Sequence, residues 1–242
     1  YYFLSEMIII RWFGLDTVGC VVAIQLFLSG YRETLDIFTL VGLSAAVSFV
    51  YMLDRYRDLK LAVNTNDRQL IYNDRFGLMI LSMLILIGIA GFYWLNLDPW
   101  SQVTLFGCGV LVIAHLWLLG MDWYVYCKDL VVSLLFATVM MVGMYHLSYV
   151  WVLIALLTLF NLTVHRLIET GIQRIDGWLI GAVFIALILV LIINFGVHWM
   201  LLIWTGSMVA QLMLIRYSVH YWYEIGEIYF ALPFLMAYIF NS

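Results

Sequence analysis

The chain has 242 residues, 66% of them hydrophobic and only 11% charged, with a mean hydropathy of +1.03. Soluble domains carry about 25% charged residues, so water is excluded as the solvent for most of this surface. The net charge of -4 argues against a nucleic-acid partner, which needs a basic stripe that is not present. With two prolines and no long polar stretch, residues 1–242 read as a single integral membrane domain.

A hydrocarbon core about 30 Å thick needs roughly 20 apolar residues per helix. Counted on that basis, the sequence predicts an all-α bundle of about nine spans, near 13–30, 36–54, 77–96, 101–120, 128–147, 149–167, 178–197, 199–217 and 226–241. Tyr1 to Trp12 reads either as an interfacial helix or as an early start of the first span. The chain opens on Tyr1 rather than Met, which leaves room for a preceding segment. Arg11 precedes the first span, while Arg55, Arg57, Lys60, Arg68, Arg75, Lys128, Arg166, Arg174 and Arg216 all follow even-numbered spans; Arg32 alone lies opposite. Basic residues in short loops are retained on the cytoplasmic side, so the N-terminus and the charged loops are expected there. Cys20, Cys108 and Cys127 show no metal-ligand spacing and read as buried thiols.

Two spans carry polar stripes that run toward this charged face. On the second, Ser44, Ser48, Tyr51, Asp54 or Arg55, and Asp58 recur at three- and four-residue steps, which places them on one helical face. The sixth repeats the device with Asn161, His165, Glu169 and Gln173. At the start of the fifth, Tyr124 and Lys128 make a further four-residue pair, flanked by Asp122 and Asp129. Asp54 to Lys60 also fits the solvated start of an ordinary loop. Two inward seams on separate helices suggest instead a shared cavity, and a cation beside them suggests an anion site.

Such a site suits a diphosphate held with divalent metal. Mg²⁺ takes one or two carboxylates plus phosphate oxygens and waters, and Asp54 with Asp58 supplies such a pair. Lys128, Arg55, Arg57 and Arg166 are candidate partners for leaving-group charge. His115, inside an apolar span, reads either as a core residue or as an axial ligand to a tetrapyrrole.

These residues resemble the UbiA superfamily of intramembrane prenyltransferases. Val50 to Asp58 falls on that family's first aspartate-rich pattern with its last two aspartates kept; Tyr124 and Lys128 match its YxxxK pattern, and Glu169 and Gln173 its second motif. Two acidic positions differ, since Tyr51 and Gln173 stand where the family has aspartate, and no proline follows the first motif between Leu59 and Tyr72. The resemblance, closest to a divergent bacterial branch, implies a nine-helix UbiA-like fold in the inner membrane. It implies Mg²⁺ held by Asp54, Asp58 and Glu169, diphosphate bound by Lys128 and Arg55, and an acceptor side shaped by Tyr51, Asn161 and His165.

Two functions follow as expectations. One is Mg²⁺-dependent transfer of a prenyl group from a polyprenyl diphosphate to a lipid-soluble, aromatic acceptor, or cyclisation through the same allylic cation. The other is a non-catalytic member that binds a quinone, carotenoid, chlorophyll or lipid, with partner subunits in a larger membrane complex. A transporter is a weaker reading, because no paired Gly- or Pro-interrupted helices mark a midplane site.

Overall fold

The computed structural model of the protein describes residues 15–32, 36–61, 76–119, 127–142, 144, 148–170, 174–195, 199–217 and 222–241. Among these residues there are nine α-helices and no strand: α1 (Leu15–Arg32), α2 (Ile37–Leu61), α3 (Phe76–Leu95), α4 (Pro99–Leu118), α5 (Lys128–Met140), α6 (Ser148–Thr170), α7 (Arg174–Phe195), α8 (Trp199–Tyr217) and α9 (Trp222–Asn241). The predicted interfacial helix before residue 13 lies outside the described residues. By length and composition, α2, α3, α4 and α6 are each long and apolar enough to cross a membrane. The architecture is that of a helical membrane bundle.

Each helix packs against the next, and α9 closes the circuit onto α1. Inside this ring α6 also packs against α8 and α9, and α1 against α5. Burial follows the same geometry: 67% of the apolar window of α6 is buried in the bundle but only 11% of that of α4, so α6 is interior and α4 peripheral. The outward face of α4 carries Trp100, Val103, Phe106, Val110, Ile113 and Trp117, all exposed and apolar, as a lipid-facing surface must be.

The main core joins α1, α5, α6, α7, α8 and α9 and includes Leu43 of α2 and Tyr93 of α3. Phe27 on α1 meets Phe234 on α9 edge-on at 5.6 Å, and Trp204 on α8 packs on the same ring at 5.0 Å. On the far side of the ring α2 packs against α3 through a close approach. A Cβ added at Gly42 would stand 2.1 Å from the ring of Tyr93, so only glycine fits beneath that tyrosine.

The turn between α3 and α4 is short. Asp98 caps α4 by accepting from the backbone N–H groups of Trp100 and Ser101, and Pro99 takes the first helical position, where a missing N–H costs nothing. The Ser101 hydroxyl and these backbone N–H groups hold the exposed Asp98 carboxyl below its ordinary range. Trp94 Nε1 donates to the Gln102 carbonyl at 2.9 Å and ties the two helices together.

Two helices depart from simple expectation. The fifth span, predicted over 128–147, stops as a helix at Met140, and its 13 residues reach about 20 Å, short of a hydrocarbon core of about 30 Å. Hydropathy could not reveal this, because Met141, Val142 and Met144 are apolar and buried without being helical. A helix end inside an apolar bundle leaves carbonyls that water cannot reach. Gln25 of α1 answers one of them, its Nε2 donating to the Met140 carbonyl at 3.0 Å. Gln25→Leu is expected to cost about 1–3 kcal/mol in reversible unfolding of the purified protein, the penalty of a buried acceptor left alone.

In α9, Pro233 has no N–H for the carbonyl of Tyr229 four residues back. The Ser207 hydroxyl of α8 donates to that same carbonyl. The two features are one device: the proline frees an acceptor and the neighbouring helix takes it up. Ser207→Ala is therefore expected to cost about 1 kcal/mol or more in the native sequence. The cost should shrink in a Pro233→Ala background, where the helix can satisfy Tyr229 itself; equal costs in both backgrounds would break the link.

Candidate functional site

The charged end is built first by helix length. The 25 residues of α2 span about 37 Å, longer than the hydrocarbon core, so its last turns emerge carrying the charges. Asp54 to Lys60 is thus helical rather than the start of a loop, and Asp54 and Asp58 share one α-helix. Likewise α6 continues to Thr170, which puts Asn161, His165 and Glu169 on one continuous helix.

Ser48 on the α2 stripe is buried, and Ser44, Tyr51 and Asp54 are half-buried. On α6 both Asn161 and His165 are buried, at 5% and 7% exposure, so this stripe faces the bundle and not lipid. The side chains of Arg55, Asp58 and Glu169 lie outside the described residues, as do Tyr124 and Gln173 altogether. Although α2 and α6 share no extensive contact, α5 packs on α6 and connects the two stripes electrostatically.

That connection has two parts. Asp129 on α5 forms an ion pair with Arg166 on α6, Oδ2 to Nη1 2.9 Å, and both side chains are largely buried. On the other side, His115 of α4 lies within electrostatic range of Asp54 and Arg57 on α2 and of Lys128 on α5. The ends of four helices therefore converge on one layer: Asp54 and Arg57, His115, Lys128 with Asp129, and Arg166.

His115 reaches this layer through helical register. Ser101 and Cys108, the fully buried residues of α4, precede it at seven-residue steps and so mark the inward stripe of an otherwise lipid-facing helix. By its apolar span alone His115 reads as a core residue or a tetrapyrrole ligand, and the seven-residue series is the signal in the sequence that places it on the inward stripe. Asp129 was visible only as a flank of Lys128. Arg166, expected as a candidate for leaving-group charge, is instead engaged by Asp129. Cys20 and Cys108 are buried as expected, but Cys127 is exposed, because it sits on the turn entering α5 at the charged end.

Among the described residues no group of three or more His, Cys, Asp or Glu comes together. Asp129 is committed to Arg166, which leaves Asp54 as the described carboxylate of the layer; that alone does not fit a metal centre. Among the described residues the cations fit an anion better, with Arg57 and Lys128 set against the charge of Asp54. Comparison with protein-family models, with curated proteins and with solved structures returns no match.

Proposed function

We propose that the chain is a UbiA-like intramembrane prenyltransferase that takes the diphosphate head of a polyprenyl lipid at its charged end and transfers the prenyl group to a lipid-soluble aromatic acceptor. The observation that carries this reading is that Asp54, Arg57 and Lys128, from two helices, all lie within electrostatic range of His115, on a bundle whose interior bears Asn161 and His165. Two cations from different helices can neutralise a diphosphate as its carbon–oxygen bond breaks, in a setting poor in water where each charge acts strongly. The buried α6 stripe extends from this layer into apolar and aromatic walls, which suit a prenyl chain and its allylic cation. In this reading the charged end faces the cytoplasm of a bacterial inner membrane, in line with the basic bias of its loops. Mg²⁺ would be held by Asp58 and Glu169 acting with Asp54.

The short described donor set favours a second reading: a UbiA-like bundle that binds a quinone, pigment or lipid without turnover, within a larger complex. One experiment separates the two. Purified chain in lipid nanodiscs, given farnesyl or geranylgeranyl diphosphate with Mg²⁺, is expected to release diphosphate, and Asp54→Ala and Asp58→Ala should abolish the release. Absence of turnover at every chain length, with a quinone or pigment co-purifying, would leave the binding reading in its place.

A further inference from the structure

Away from the charged layer, α8 carries a polar face of its own. Trp204, Ser207 and Gln211 follow at steps of three and four residues and so share one side of the helix. They are 1%, 5% and 2% exposed. Ser207 is engaged by the Tyr229 carbonyl. Trp204 Nε1 and Gln211 Oε1 are buried with no hydrogen-bond partner among the described residues. The direction of this face is set by Trp204, whose ring meets Phe27 of α1 at 6.4 Å and Phe234 of α9 at 5.0 Å. It is turned into the bundle, not toward lipid.

A buried polar atom left alone costs about 1–3 kcal/mol. Methionine in place of Gln211 and phenylalanine in place of Trp204 would avoid that cost and keep most of the packing. A sequence that retains both carries hydrogen-bonding capacity that the described residues do not complete. The two atoms want opposite partners, since the Gln211 amide oxygen accepts and the Trp204 indole N–H donates. Seven residues of helix rise by about 10 Å. A molecule with a hydroxyl at one end and an accepting oxygen at the other spans it, and the aromatic surroundings of Trp204 require the rest to be apolar.

We propose that this face of α8 binds an uncharged, lipid-soluble molecule through a hydroxyl that donates to Gln211 and an oxygen that accepts from Trp204. The proposal does not depend on how the charged layer is read. The test is thermal unfolding of the full chain in detergent micelles with two probes, a naphthalenediol bearing hydroxyls at opposite ends and its dimethyl ether. The diol should raise the Tm of the native sequence in a concentration-dependent way, and the ether, which cannot donate, should need about tenfold more for the same shift, the equivalent of one hydrogen bond. Gln211→Met should leave the ligand-free Tm equal or raised while erasing the difference between the probes, and Trp204→Phe should weaken both. The proposal is overturned by a lowered ligand-free Tm in Gln211→Met, which would give Gln211 a structural partner. It is equally overturned by no shift of the native sequence with either probe, or by a diol advantage that survives Gln211→Met.

Discussion

Arg166→Met is expected to destabilise the folded chain by about 3–5 kcal/mol, the loss associated with stranding one member of a buried ion pair. The partner left behind, Asp129, is 7% exposed and sits in the first turn of α5. Its short side chain cannot carry the carboxylate out to water as a long arginine could. The converse variant Asp129→Leu should therefore cost less, because Arg166 lies about one turn from the end of α6 and can turn its guanidinium outward. The double variant Asp129→Leu/Arg166→Met should recover most of the loss, since apolar replacements of a whole buried pair are often neutral or stabilising. Reversible unfolding of all four proteins in the same detergent closes the cycle and yields the coupling energy. A coupling of less than about 1 kcal/mol would place the pair with solvent-exposed ion pairs and remove its role as the tie between α5 and α6.

The second large effect concerns activity. Under the prenyl-transfer reading, Lys128→Met is expected to lower diphosphate release by about 10²–10³-fold, the usual consequence of deleting one preorganised group that stabilises charge in the transition state. Lys128 is half-buried at the start of α5 and shares the neighbourhood of His115 and Asp54. Its removal should act on turnover with little change in unfolding free energy, because its charge is not part of the Asp129–Arg166 pair. Arg166→Met would lose activity and stability together. A Lys128→Met protein that is folded and turns over at the native rate would take the diphosphate away from this end of the bundle.

The class of the protein could be read before any coordinates. Whether a segment of about 20 residues prefers hydrocarbon to water depends on its own composition, so the helices fall close to the nine predicted spans, and the basic residues mark which helix ends lie together. The α6 series of Asn161, His165 and Glu169 was likewise legible, because helical periodicity is local. The predicted second and sixth spans stop at 54 and 167 where charges begin, whereas α2 and α6 run on through them as helix once the apolar window is passed.

What the linear pattern could not supply was the partner of each polar group. Nothing in the run from Lys128 to Val142 announces that α5 ends at Met140, since the carbonyl freed there is taken by Gln25, 115 residues away in sequence. Nor does any spacing pair Asp129 with Arg166, Ser207 with the carbonyl released by Pro233, or His115 with Asp54 and Lys128. Hydropathy sums over neighbours along the chain, whereas a buried hydrogen bond or ion pair joins helices whose order in space the sums do not contain. The charged end of this bundle was therefore foreseeable as a place, while its division into a bound pair, Asp129 with Arg166, and a layer of Asp54, Arg57, His115 and Lys128 came from the packing of α4, α5 and α6.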